Sequence, residues 1–531
     1  MAAWSTTLAR PIRITGVADP SLDRGEIQRR AARGAVWTLL HTVVSMPVAW
    51  LANVVLARIL GVADYGQLAL LTTVMLLVGV VVASGVDQAM VQLGARAHSA
   101  GRFEETRDLL SRVQGFRLLV LAPIVSCAAW RWTDVHWVFL VCALVFGVWM
   151  PAAFSGAAVS LTLENRTDVD ARIQLVTSLL QQAIVVGVAL LFATPDAVWT
   201  TRVAIAGFTT LAALPFIRAD YRRAVLRPKS PFGLPRSFWR YAVPVGLAAI
   251  LSAVATERSE LFFLNAFSTP VEMGLFAVAF GLANHLLAPA QALINPLVPA
   301  ITGLHEVDRG ALGRALERVL RVSAVSAGGI LAALGAPLAL AVPFIYGADY
   351  AAASTLMLAL LISAALILVT FPMQAFLQAR LRGGSILTLN VGTVVANVAV
   401  AAALVGPLGA WGAALAKASV GVTRLAYFLL AERSSFPLAP RQMIRELTPL
   451  ALGAAASVAG LALGVRVGSG LPGILAAAVL SAAVFLGCLR WSGRGLTRPD
   501  GDALVGAVPA RLRGVTSRGL VLLTRTGAER P

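Results

Sequence analysis

The feature that most restricts this chain is a series of fourteen long apolar runs separated by short polar joints. They fall at 35–57, 67–90, 115–130, 137–162, 173–193, 201–217, 241–264, 274–300, 320–343, 352–377, 385–405, 409–431, 447–465 and 472–489. A helix needs about 20 mostly apolar residues to cross the hydrocarbon of a bilayer. Barrel strands would alternate apolar and polar residues over about ten positions, and these runs do not alternate. The expected fold class is therefore all-α, a polytopic membrane protein. Only 13% of the 531 residues are charged and 58% are hydrophobic, against about 25% charged in soluble domains. So few charges cannot cover a surface in water, and the usual division of a long chain into soluble domains does not apply.

Arginine placement orders the runs. With the N-terminus in the cytoplasm, 37 of the 44 Lys and Arg residues fall in cytoplasmic segments. The external joints keep Arg58, Arg131, Arg202 and Arg466, and three basic residues remain within runs: Arg258, Lys417 and Arg424. This is the positive-inside pattern. It predicts a multi-pass protein of the plasma (inner) membrane with both termini cytoplasmic. It also accounts for the net charge of +18 through contact with anionic membrane lipids. Nucleic acid is not an expected partner, because the charge forms no single stripe.

An internal repeat divides the chain. The sequence Asp64-Tyr65-Gly66 recurs in kind as Glu272-Met273-Gly274, an acid, one residue, then a glycine opening the next helix, at an offset of 208 residues. The same offset carries Ala35 onto Val243, so the repeats are parallel. The expected organisation is a basic cytoplasmic segment 1–34, an N-lobe of helices 1–6 (35–217), a basic linker 218–240, a C-lobe of helices 7–12 (241–431), helices 13 and 14 (432–490) and a basic tail 491–531. The lobes would be related by a pseudo-two-fold along the membrane normal. The tail near 504–525 is expected to lie on the membrane surface.

Polar residues within the runs mark candidate sites, because an intramembrane charge costs roughly 2.5–3.5 kcal/mol on insertion scales. Run 7 carries Glu257, Arg258 and Glu260. On a continuous helix the two glutamates share a face and Arg258 stands about 100° from Glu257. Such a group holds a sugar hydroxyl, a diphosphate or a proton, or else forms a salt bridge between lobes or simply stands as charges at the external interface. In run 8, Asn284, Gln291 and Asn295 fall on one stripe. In run 11, Asn390 and Asn397 share a face. Amides suit sugar hydroxyls and equally serve as interhelical glue. Lys417 is a point charge for a lipid diphosphate or a partner for Glu257 or Glu260. Arg424 is expected to snorkel to the interface, and His41, Asn53, Gln181 and Gln182 to pack. Prolines within runs, three of them in run 8 (Pro289, Pro296, Pro299), predict bends.

Several chemistries have no signature here. The sequence lacks GxxxxGK[ST], HExxH and GxSxG. Its three cysteines, Cys127, Cys142 and Cys488, lie in apolar runs without a CxxC pair. No cofactor or metal is expected. No signal peptide is read at the N-terminus, and the run from Ala35 is read as the first permanent span.

Several segments carry a resemblance. LARILGVADYGQLALL (56–71), YAVPVGLAAIL (241–251), ELFFLNAFSTPVEMGLFAVAFGLA (260–283), PFIYGADYAAAS (343–354) and LNVGTVVANVAVAAALVGPLGAWGAALA (389–416) together resemble the polysaccharide-flippase (Wzx-like) branch of the multidrug/oligosaccharidyl-lipid/polysaccharide exporter superfamily. The resemblance covers roughly 25–435. It implies two six-helix lobes around a central cavity, and a lipid-linked oligosaccharide moved from the cytoplasmic to the outer leaflet. One departure stands out. Late in helix seven the family pattern is an acid–Arg pair followed by Leu, whereas this chain reads Glu257-Arg258-Ser259-Glu260-Leu261. The expected function is a non-enzymatic flippase for cell-surface polysaccharide synthesis, with a coupling ion as a further partner and the oligomeric state open. The alternatives are an ion-coupled exporter of small amphipathic molecules on the same fold and a membrane-bound glycan polymerase or ligase. A large cationic cavity favours the first, and a compact acidic, aromatic-lined one the second. A clustered external acid pair favours the third.

Overall fold

A computed structural model describes residues 24–83, 85–132, 137–294, 309–379, 383–431, 438–468, 470–501 and 523–524. Asn295, Pro296, Pro299, the first 23 residues and nearly all of 504–525 lie outside the described residues. The first half of the chain folds into α1 (Arg24–Ala83), α2 (Val86–Ser99), α3 (Phe103–Phe116), α4 (Ala122–Trp132), α5 (Trp137–Cys142), α6 (Met150–Phe154), α7 (Gly156–Leu163), α8 (Thr167–Phe192), α9 (Pro195–Thr209) and α10 (Ala219–Leu226). The second half holds α11 (Arg236–Thr256), α12 (Glu260–Phe267), α13 (Pro270–Ile294), α14 (Arg309–Ile330), α15 (Ala336–Tyr346), α16 (Ala353–Ala379), α17 (Gly383–Leu408), α18 (Ala410–Leu430), α19 (Pro440–Val467) and α20 (Leu471–Ser492). Wide π turns at Arg117–Leu121, Ala143–Trp149 and Leu331–Gly335 run α3 into α4, α5 into α6 and α14 into α15. The fold is all-α.

Thirteen helical stretches among the described residues are long and apolar enough to cross a membrane. The longest, Arg33–Ser99, has 67 residues. Unbroken, it would measure about 100 Å at 1.5 Å per residue, roughly three times the hydrocarbon thickness. It is broken at Gly61, where φ is 77° and ψ 175°, a backbone region open essentially to glycine alone. The first two apolar runs are the two arms of this element, and fourteen spans result only when the arms are counted separately. The joint expected there shrinks to one residue. Gly66 accordingly sits inside a helix rather than opening one, as does Gly274.

Apolar side chains face outward as well as inward. Leu191 is 79% exposed, Val479 69%, and Trp130 and Trp137 about 65%. Such a surface would aggregate in water and is matched to lipid. With lipid outside, helices gain little from burying apolar area against each other, and small residues that let backbones approach become the main packing device. Gly66 of α1 packs on Gly274 of α13: a Cβ on Gly66 would stand 2.6 Å from the Gly274 nitrogen. Gly328 of α14 and Gly453 of α19 meet in the same way.

Buried ions pin helix ends. Arg321 of α14 is 8% exposed and bonds Glu446 of α19 at 2.7 Å, Asp500 beyond α20 at 3.1 Å and Glu317 at 2.6 Å. This ties the two last helices to α14. At the end of the bundle carrying Gly61, Arg58 donates to the carbonyls of Ile345 (2.8 Å) and Phe344, and the Tyr350 hydroxyl donates to the Ala57 carbonyl at 3.0 Å. That contact joins α1 to the end of α15 across nearly 300 residues of sequence.

Candidate functional site

The seventh apolar run is not one helix. Helix α11 stops at Thr256, Glu257 is extended (φ −80°, ψ −172°), and α12 starts at Glu260. Such a break strands backbone carbonyls that in lipid must find partners within the protein. Each is met. The Ser259 hydroxyl donates to the Val254 carbonyl at 2.6 Å. The Lys417 ammonium, from α18, donates to the carbonyls of Ala255 (3.1 Å) and Glu257. It also pairs with Glu260 Oε1 at 3.0 Å. Asn397 of α17 donates to the same Glu260 oxygen at 2.6 Å and to the Ala416 carbonyl at 3.0 Å. Lys417, Glu260 and Asn397 are all buried, at 2%, 0% and 0% exposure.

The break corrects one expectation. Glu257 and Glu260 do not share a helix face, because the helix that would align them is absent between them. Glu260 turns into the packed interior toward α17 and α18. Glu257 and Arg258 instead line a cavity of about 200 Å³. Its other walls include Asn53, Tyr65 and Thr72 of α1, Arg202 of α9, and Phe280 and Asn284 of α13. Arg202 lies 3.4 Å from the Asn53 amide oxygen, a long contact that leaves the guanidinium able to take a better acceptor. Arg258 and Lys417 both stand over the Phe280 ring, at 5.4 and 5.2 Å from its centroid. With two guanidiniums against one carboxylate, the cavity is cationic in sign. It is compact, below the 300–1,000 Å³ of ordinary ligand pockets.

The sequence candidates thus separate into groups. Glu257, Arg258 and Asn284 line the cavity. Glu260, Asn397 and Lys417 form the buried network behind it. Asn390 is 2% exposed, and its side-chain oxygen has no hydrogen-bond partner among the described residues. Gln291 falls in α13, but its side chain, like all of Asn295, lies outside what the structure describes. A second cavity of about 310 Å³ opens among α1, α7, α8 and α9 and is lined by His41, Asp170, Gln174 and Gln181. No group of three His, Cys, Asp or Glu side chains able to hold a metal ion occurs among the described residues.

A family model described as polysaccharide biosynthesis protein matches residues 55–355, more than half of the chain. The chain belongs to this polysaccharide biosynthesis family. No curated protein is significantly similar to it in sequence. Among solved structures, the fold of this family member is similar to the lipid II flippase MurJ in an inward closed conformation. That match has TM-score 0.62 and 15% identity, covering 85% of this chain and 97% of the other. It is also similar to an inward-facing multidrug resistance MATE family transporter of the MOP superfamily, at TM-score 0.53 and 16% identity, with 79% and 98% covered. The polysaccharide family read from the sequence agrees with the family match, and the helical fold that the resemblance implied agrees with the two solved structures. The family match contains Arg202, Glu257, Arg258, Glu260 and Asn284, whereas Asn390, Asn397 and Lys417 lie beyond it.

Thr72 and Phe280 line the cavity without a signal in the sequence, and two further lining residues, Arg202 and Asn53, were expected elsewhere. Arg202, placed at the external end of a run starting at 201, stands two turns inside α9, which starts at Pro195. The signal was present, since Pro at the first helical position followed by an acid marks a helix start. Asn53, expected to pack, lines the cavity beside it. Arg424 is a further correction. It does not snorkel but is 1% exposed, over the Phe371 ring at 6.0 Å, because α18 is enclosed by its neighbours at that depth.

Proposed function

We propose that this polysaccharide biosynthesis family member is a flippase. It carries a lipid-linked oligosaccharide or polysaccharide repeat unit from the cytoplasmic to the outer leaflet of the plasma membrane, for cell-surface polysaccharide synthesis. The observation that carries this reading is the pair of guanidiniums, Arg202 and Arg258, facing one cavity from opposite halves of the chain. A lipid-linked glycan is joined by an anionic diphosphate or phosphate, and forked guanidiniums recognise phosphate oxygens bidentately. Asn53 and Asn284 supply amides for sugar hydroxyls. Glu257 contributes the carboxylate on the same cavity wall.

Alternating access is the mechanism we assign, between an N-lobe over 35–217 and a C-lobe over 241–431, with both termini cytoplasmic. Support comes from the Gly66–Gly274 contact. These glycines are equivalent in the 208-residue repeat, and a residue packing on its own counterpart is what a two-fold axis produces. A cavity of about 200 Å³ admits a phosphate group or one sugar ring, so a whole repeat unit requires the lobes to part. Anionic lipid contacts along the basic segments and a driving ion belong to the same proposal. The chain is assigned no enzymatic activity.

Export of small amphipathic cations, which the MATE-like fold alone allows, is disfavoured by the sign of the cavity. The test is Arg202→Gln and Arg258→Gln in cells that depend on this chain for surface polysaccharide. Each change is expected to leave the protein at normal levels in the membrane, abolish surface glycan and build up its lipid-linked precursor on the inner side. Normal surface glycan in both variants would refute the site. Drug sensitivity without any glycan defect on deletion would refute the flippase reading in favour of the exporter.

A further inference from the structure

The buried network behind the cavity has the make-up of a cation site. Two carbonyls at the broken end of α11, Ala255 and Glu257, converge with Glu260 Oε1 on a single point. The C-terminal end of a helix carries negative partial charge. Unwound carbonyls and half-helix ends are where transporters coordinate small cations. In this chain the point is occupied by Lys417 Nζ, which is 2% exposed and carried on α18. The ammonium's three N–H groups are matched one to one by those three oxygens. Two more oxygens of the same network, Glu260 Oε2 and Oδ1 of Asn397, whose amide N–H donates to Glu260, are buried with no hydrogen-bond partner among the described residues. An ammonium has no further donors to offer them. A spherical ion is not limited to three.

We infer that these oxygens form a cage for a monovalent cation and that the Lys417 ammonium is its built-in occupant. The charge that stabilises the break is tethered to the chain and cannot exchange with the ions on either side of the membrane. Sodium or potassium therefore neither binds nor drives transport at this point, and any ion coupling works elsewhere in the molecule. Removing the side chain converts the position into an exchangeable cation site. None of this depends on which substrate the chain carries.

The test is ion-dependent thermal unfolding of the purified full-length protein, in chloride salts of sodium, lithium, potassium or N-methylglucamine at constant ionic strength. For the unaltered protein, Tm is expected to be the same in all four salts. Lys417→Ala should unfold several degrees lower in N-methylglucamine and regain most of that loss, saturably, in one of the small cations. Adding Glu260→Gln to it should abolish the recovery. Lys417→Ala is made and purified in sodium throughout, so that the cation is present during folding. Three outcomes each overturn the inference: a saturable sodium- or lithium-dependent rise in Tm in the unaltered protein that Glu260→Gln removes; a folded Lys417→Ala protein with no cation-specific recovery; or a Lys417→Ala protein that fails to fold even in sodium while Lys417→Met folds.

Discussion

Replacing Gly66 with alanine tests whether backbone-to-backbone packing holds the two halves of the chain together. An added Cβ would stand 2.6 Å from both the Gly274 nitrogen and the Pro270 carbonyl oxygen, and 3.0 Å from the Met273 Cβ. Ordinary contacts to carbon begin near 3.4 Å, so α1 and α13 must separate by most of an ångström. Two of the three opposing atoms are backbone, so no rotamer change relieves the clash. Overpacking of this kind costs about 1–3 kcal/mol. Against it stands the helix preference of alanine over glycine, worth about 1 kcal/mol. Gly79 supplies the control, since it lies on the same helix with nothing within 4 Å of its added Cβ. Propensity cancels between the two substitutions. Gly66→Ala is therefore expected to be about 1–3 kcal/mol less stable than Gly79→Ala, read as a lower Tm in detergent by a fluorescence or light-scattering ramp. Gly274→Ala should behave like Gly66→Ala, because its Cβ meets the Val62 carbonyl. Equal Tm values for Gly66→Ala, Gly274→Ala and Gly79→Ala would refute the close approach.

Glu260→Gln alone leaves the Lys417 ammonium without its counter-charge and should cost about 3–5 kcal/mol, whereas Glu260→Gln with Lys417→Met should recover a large part of that in the same Tm assay. Glu272 accepts from the Ala410 amide at 2.8 Å and so caps α18; Glu272→Ala should cost about 0.5–2 kcal/mol, with Glu272→Gln losing less because it still accepts a hydrogen bond. Burial pushes the Tyr221 hydroxyl up to about 12, in a helix outside the spans where it lies 2.6 Å from His98 Nδ1. The folded form then keeps its proton where the unfolded form has lost it. The stabilisation is whole below pH 10 and drains away between pH 10 and about 12. Tyr221→Phe should flatten the fall in Tm over that window, and an unchanged slope would remove the tyrosine from the account.

How far the sequence could reach is decided at a few residues. Hydropathy located the apolar runs because lipid imposes one length on every crossing helix. The repeat around Gly66 and Gly274 was visible as composition, although its meaning, two glycines packed on each other, needed coordinates. The polar residues of run 7 were found for the same reason, since charge in an apolar run is conspicuous. Their arrangement was not, because face arguments assume an unbroken helix. Thr256-Glu257-Arg258-Ser259-Glu260 is five polar residues in succession. No helix can turn five consecutive side chains to one face, so this run was itself a sign of irregular backbone, tolerated at membrane depth only where protein or a cavity covers it. The groups that cover it come from elsewhere. Lys417 arrives from 160 residues beyond Glu257 and Asn397 from 137 beyond Glu260, distances over which no local pattern carries information. Arg202 shows the opposite case. Its position follows from Pro195 and Asp196, which start α9, six residues before the apolar window begins. Where polar residues and apolar windows disagree about a boundary, the polar residues are the better guide, because an unmet charge or carbonyl in lipid costs more than a few misplaced methyl groups.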